Sequence, residues 1–147
     1  MSSPISTALR ELVARRAEFL CEYCLLRECD LYSGAQVDHI ISERQGGPTT
    51  LGNLAFACAW CNRQKGSDIA AIDPAPGRLV RLLNPRTDRW SEHLLLVGGR
   101  IEWRTAIGEA TVRLLKMNDQ HRIEEREALR ANGKYPSPAA LRQLRGD

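Results

Sequence analysis

Four of the five cysteines stand as two C-x2-C pairs, Cys21/Cys24 and Cys58/Cys61, and between and beside them lie Asp38-His39, Asn53 and Asn62. Each pair sets two thiols on one tight turn, close enough to share an ion. Two such pairs supply the four sulfurs that a tetrahedral structural zinc takes. The alternatives are reduced structural cysteines or a redox pair, and the matched spacing weighs for zinc. A four-sulfur site is closed, so this ion holds structure and does no chemistry. It clamps residues 21–24 to 58–61, brackets Asp38-His39 and ends beside Asn62. Cys29 is a fifth thiol with no place among four ligands.

Asp38 is a carboxylate and Asn62 an amide, both oxygen donors, and His39 is the side chain whose unperturbed pKa, about 6.5, lies nearest neutrality. Taken singly, an Asp-His pair is ordinary surface polarity, an Asn before Leu is a turn residue, and an Asn after Cys is a helix cap. Together inside a metal clamp they form a constellation.

The elements that must position them follow from local pattern. Ser6 or Thr7 caps a helix over Ala8–Ala17, which delivers the chain to Phe19-Leu20 and the first cysteine pair. After the Ser33-Gly34 turn, residues Ala35–Ile41 read as a short strand broken by Gly46-Gly47-Pro48. Neighbours on a regular strand face opposite ways, so Asp38 and His39 share a site only where the strand ends, bulges or bends. Asn62–Lys65 opens a short helix closed by Gly66. Residues 73–77 (Asp-Pro-Ala-Pro-Gly) form a loop that ends the first unit.

Beyond the loop, Arg78–Leu83 is a strand candidate, and His93–Val97 and Arg100–Trp103 flank Gly98-Gly99 as a hairpin. Helices follow over about 105–117 and from a cap at Asn118 or Asp119 to Asn132-Gly133. The tail from Tyr135 reads as a fraying end holding at most a last helical turn. The expected organisation is 1–73 as a clamped core with its N-terminal helix, and 74–147 as a C-terminal extension packed on it.

The 147 residues suit one α+β domain with extensions. No stretch approaches the roughly 20 apolar residues of a membrane span. Residues 1–7 also lack the basic start and apolar run of a secretory signal, so a cytoplasmic protein without a membrane partner is expected. Thiols there stay reduced, which favours metal over disulfides. The net charge of +3 divides unevenly, with −1 in residues 1–68 and +4 in 69–147.

The series Cys21-Glu22-Tyr23-Cys24, Val37-Asp38-His39-Ile40, Gly46-Gly47, Asn53-Leu54 and Cys58-Ala59-Trp60-Cys61-Asn62-Arg63-Gln64-Lys65-Gly66 resembles the HNH endonucleases over about residues 19–68. The resemblance implies a ββα-metal core with one catalytic divalent ion. It implies Asp38 and Asn62 as ligands of that ion, His39 as general base, and Asn53 as the residue that holds the loop carrying His39. Many HNH proteins carry His where Asn62 stands, and an oxygen ligand there moves preference toward Mg²⁺ or Mn²⁺. The implied activity is phosphodiester hydrolysis in DNA, by nicking or cleavage, with one metal. A non-catalytic zinc-ribbon-like nucleic-acid-binding module is the alternative, although such a module needs none of Asp38, His39 and Asn62.

Arg63 and Lys65 on the short helix, and Arg44 in the loop after the catalytic strand, are the expected phosphate contacts. Arginines 78, 81, 86, 89, 100 and 104, in a segment that also carries Trp90 and Trp103, form either a backbone grip on DNA or pairs with local acids around a tryptophan core. Glu124, Glu125, Arg126 and Glu127 read as a solvated helix face, and His93 and His121 as structural. Nothing in the sequence sets the oligomeric state.

Overall fold

Ser6 accepts a hydrogen bond from the Leu9 amide (3.1 Å) and so starts helix α1, Thr7–Arg16, in the computed structural model, which describes residues 4–75 and 77–147. The buried face of α1, Val13 and Ala14, packs with Ala17 on Leu54 and Phe56. Arg16 ends the helix by donating to the carbonyls of Leu51 and Leu54.

The first cysteine turn follows at once, and Glu22 within it pairs its backbone N–H with the Phe56 carbonyl and its carboxylate with the Phe56 amide, both at 2.8 Å. Leu25, just after Cys24, takes a positive φ of 65°. Such a conformation costs an L-residue about 1–2 kcal/mol; its side chain is buried in the core.

Strand β1 spans Ala35–His39 and pairs antiparallel with β2, Leu54–Cys58, in the register Ala35↔Cys58 to His39↔Leu54. All five β2 residues are buried, so the segment shows none of the alternation that marks a half-exposed strand. Helix α2, Ala59–Lys65, starts at Cys58 and lies on the other face of the pair from α1. Ala35 and Val37 meet α1, whereas Gln36 and Asp38 meet α2.

β3 (Ala70–Ile72) and β4 (Leu79–Arg81) pair across the loop expected to end the first unit. That loop is a hairpin connection; its Pro76 lies outside the described residues. Then come α3 (Trp90–His93), the hairpin β5 (Leu94–Val97) and β6 (Arg100–Trp103), α4 (Ala106–Leu114), α5 (Gln120–Ala131) and α6 (Pro138–Arg145). The tail is an ordered helix and not a fraying end: Ser137 caps it, Pro138 occupies its first turn, and Ala140 is fully buried.

One apolar cluster joins the two halves. It holds the four paired cysteines, Tyr23 and Leu26 together with Leu82, Leu83, Trp90, Ile101, Leu115, Met117 and Tyr135. Tyr135 donates its hydroxyl to the Cys24 carbonyl, Trp90 its indole N–H to the Tyr23 carbonyl, and Trp60 its indole N–H to the Leu115 carbonyl. Arg126, expected on a solvated face, is fully buried and donates to the carbonyls of Gly99 and Met117. Its helix is buried on the side where the hairpin turn and the end of α4 expose carbonyls that need donors. No helix among the described residues is long and apolar enough to cross a membrane.

Candidate active site and metal centre

Cys21, Cys24, Cys58 and Cys61 are buried, and their sulfurs all lie within 4.8 Å of one another. Cys24 Sγ and Cys58 Sγ are 3.7 Å apart. A tetrahedron with metal–sulfur bonds of about 2.3 Å has edges of about 3.8 Å, so the donor set fits a metal ion. The amides of Cys24 and Cys61 point at Cys21 Sγ and Cys58 Sγ (3.5 and 3.4 Å). The C-x2-C spacing folds each pair this way because the turn puts the second amide over the first sulfur. Cys29 is exposed and outside the cluster.

Arg122, from α5, donates to Cys24 Sγ (3.2 Å) and Cys58 Sγ (3.4 Å). Burial lowers its pKa, but the sulfurs of Cys24, Cys58 and Cys61 outweigh that and hold it above the ordinary arginine value. Contacts with the other three sulfurs, and after them the Arg122 charge, pull Cys58 far below an ordinary thiol.

Asp38 is buried at the α2 face of β1, with Lys65 Nζ 3.1 Å from its Oδ2. Burial raises its pKa, while the charges of Lys65 and His39 pull it back down. The Lys65 ammonium is the partner of its Oδ2. On the same face, Asn62 donates its Nδ2 to Gln36 Oε1 (2.5 Å), which leaves Oδ1 as the atom available to a cation. A buried carboxylate and an amide oxygen presented on one face are the kind of hard donors a divalent ion takes.

His39 is the last residue of β1, where the regular alternation was expected to stop. Its Nε2 lies 2.9 Å from Thr49 Oγ1 and 3.4 Å from Glu43 Oε1. No hydrogen bond among the described residues joins it to Asp38 or Asn62; its charge is nevertheless one of those that lower the Asp38 pKa.

Asn53 accepts from the Ile41 amide (2.9 Å) and donates to the carbonyls of Ile41 (2.8 Å) and Pro48 (2.9 Å). It thereby closes the loop that leaves His39. Gly47 is required there, since a Cβ would sit 1.7 Å from the Ile41 carbonyl oxygen and 2.7 Å from Asn53 Nδ2.

The expected phosphate contacts separate. Arg63 and Arg44 are exposed. Lys65 is not a surface cation: it is 2% exposed, and its Nζ donates to the His39 carbonyl (2.9 Å) beside Asp38. The reason is helical spacing, because Lys65 stands three residues after Asn62 and shares its inward face. Of the six later arginines, Arg81 forks onto Asp88, Arg86 pairs with Glu22, and Arg100 pairs with Glu102, while Arg78, Arg89 and Arg104 are exposed. Trp90 is core, and Trp103 is 39% exposed under Arg113.

Sequence reasoning missed Gln36, Glu43, Thr49 and Arg122. Gln36 shares the face of Asp38 by strand alternation, and Glu43 follows His39 by four residues, so both carried a local signal. Arg122 carried none.

Residues 21–68 match the family model of the HNH endonucleases. This segment is an HNH domain. The match spans both cysteine pairs and every residue of the Asp38, His39, Asn53 and Asn62 set, and the four-cysteine cluster fits a metal-clamped HNH core. Searches of curated proteins and of solved structures gave no match. The match supports a nuclease-type function generally, and α4, α5 and α6 pack in the same core as the four cysteines.

Proposed function

We propose that the protein is an endonuclease that hydrolyses phosphodiester bonds in DNA with one divalent ion, Mg²⁺ or Mn²⁺, on a core held by structural Zn²⁺. The observation that carries this reading is the strand face that presents the buried Asp38 carboxylate and the Asn62 amide, one residue from His39 and within the matched HNH segment. Asp38 and Asn62 would hold the ion. When bound, it supplies Lewis-acid polarisation of the phosphate and charge stabilisation on the leaving oxygen.

The chain's own groups do the rest. Glu43 and Thr49 anchor His39 through Nε2. With the proton on Nε2, Nδ1 is the lone pair that takes a proton from the attacking water. Lys65 keeps the buried carboxylate compensated and ties it to the backbone at His39. Asn53 fixes the loop that returns from His39. Arg63, exposed one residue after Asn62, and Arg44, on the turn at 43–45, serve as phosphate contacts that carry affinity without reading sequence. Within this reading residues 1–73 are the catalytic unit and 74–147 an extension that packs on it, acting in the cytoplasm.

Supercoiled plasmid incubated with protein and Mg²⁺ or Mn²⁺ tests the proposal. Conversion should require the ion, stop with EDTA, and fall about 10²–10⁴-fold in His39→Ala, the usual contribution of a general base. Absence of metal-dependent conversion by the wild type, or equal conversion by the variant, would sink the enzyme reading.

A further inference from the structure

Four thiolates around a divalent ion leave a net charge of −2 in the interior. An uncompensated buried charge is costly unless it is paired and hydrogen-bonded. Two of the compensating donors are local, the Cys24 and Cys61 amides. Another, among the described residues, is distant in sequence: Arg122 Nη2, 98 residues from Cys24 and 64 from Cys58, reaches the Sγ of both, one sulfur from each pair. The guanidinium is held in place by Glu125 on Nη1 (2.8 Å) and by the Trp60 ring, 5.6 Å from its carbon, and the residue is 4% exposed. Trp60 is itself part of the second cysteine turn, so the arginine lies between the metal cluster and one of its own loops.

We propose that Arg122 is the counter-charge of the metal–thiolate cluster, so that the C-terminal extension, through α5, is a working part of the metal centre and governs how tightly the ion is retained. The inference rests on the zinc reading of the four-cysteine cluster and is independent of the nuclease chemistry. Its logic is electrostatic and directional. One nitrogen, Nη2, bridges two sulfurs while Nη1 is held by Glu125; the guanidinium charge lowers that of the cluster by one, and the side chain lines the cleft that Tyr32, Arg63 and Glu125 share with Cys58. Partners of this outer kind typically change metal affinity 10–100-fold.

The test uses the full chain. Wild type, Arg122→Met, Arg122→Gln and Glu125→Gln are compared for zinc release to a chromogenic chelator, and as Co²⁺-substituted proteins for the sulfur-to-metal charge-transfer band. Arg122→Met should release zinc about tenfold or more faster. Its band should move to longer wavelength, because lost N–H···S bonds raise the energy of the sulfur electrons. A merely packing role for the side chain would leave that band in place. Glu125→Gln loosens the hold on the guanidinium and should move both readouts in the same direction as Arg122→Met, by less.

Wild-type release and an unshifted band in a folded Arg122→Met would overturn the proposal. Should that variant fail to fold, Arg122→Gln, which removes the charge and keeps a polar side chain, decides: faster release and a band moved to longer wavelength support the role, and unchanged band and release overturn it. A wild type that yields no charge-transfer band with Co²⁺ would instead overturn the metal reading beneath it.

Discussion

Replacing Asn53 by aspartate changes one NH₂ to an oxygen at a position that is 6% exposed, with almost no change of shape. The Ile41 amide keeps its acceptor. The Ile41 and Pro48 carbonyls, now 2.8 and 2.9 Å from a donor, would face a carboxylate oxygen at those distances. The two bonds are only part-buried, so each loss falls in the lower part of the about 1–3 kcal/mol range of an unsatisfied acceptor, and Asn53→Asp should destabilise the fold by about 2–4 kcal/mol near neutral pH. With total stabilities of about 5–15 kcal/mol, that is a large fraction. Urea unfolding followed by circular dichroism should show a midpoint lowered by about 1–2 M, given slopes of about 1–3 kcal/mol per M.

The sign of the pH dependence is set by the same geometry. The introduced carboxylate has its pKa raised in the folded state, so the penalty is full at neutral pH. It shrinks as pH falls, beginning above the ordinary aspartate value of about 3.9, because the protonated group donates once more. Metal-dependent nicking should fall about 10²-fold, the usual consequence of moving a catalytic group by about 1 Å. If Asn53→Asp stays within about 1 kcal/mol of wild type at every pH and nicks within twofold of it, Asn53 is not the brace of this loop.

Other substitutions follow from the same structure. Gly47→Ala drives a methyl into the Ile41 carbonyl and should cost about 3 kcal/mol or more by urea unfolding; a neutral variant would show that the loop moves freely. Lys65→Met strands Asp38 as a buried charge and should cost about 3–5 kcal/mol, most of it restored in the double variant Lys65→Met/Asp38→Asn; additive losses in the pair would refute their coupling. Asp88 accepts two bonds from Arg81 and one from the Asn84 amide. Those bonds depress its folded pKa, so Asp88→Asn should lower stability by about 1–3 kcal/mol at pH 7. The difference should vanish as pH falls through that depressed pKa, measured by thermal unfolding from pH 7 to pH 2. Stripping the cluster with a strong chelator should melt the core, since structural metal binding contributes folding energy; an unchanged far-ultraviolet spectrum in the stripped protein would contradict that.

What the sequence disclosed divides by range. Elements marked by caps and turns were legible: α1 from Ser6, the β5–β6 hairpin from Gly98-Gly99, and α5 from its capping Asp119 to Asn132. Segments whose pattern is erased by burial or brevity were not. Strand β2 is buried on both faces, β3 and α3 are three and four residues long, and α6 hides a capping serine behind two prolines. At the site, the cysteine spacing gave the cluster directly; the strand read over Ala35–Ile41 is shorter and stops at His39, one of the three irregularities (an end, a bulge or a bend) that adjacent residues serving one place would require. Lys65 was misread because exposure was inferred from charge, although its three-residue offset from Asn62 already placed it inside.

The arginines show why charge counting fails in the second half of the chain. Arg81, Arg86, Arg122 and Arg126 belong to the positive excess there, yet each is spent on a carboxylate, a carbonyl or a sulfur within the fold. Arg86 pairs with Glu22 of the first cysteine turn, and Arg122 with Cys24 and Cys58, so part of that excess holds the extension to the metal cluster and is not displayed to a polyanion. On the proposed reading, phosphate affinity would rest on the exposed remainder, with Arg63 and Arg44 in the matched segment and Arg78, Arg89 and Arg104 beyond it. The same reading gives residues 74–147 the task of stabilising the four-cysteine clamp more than that of gripping substrate.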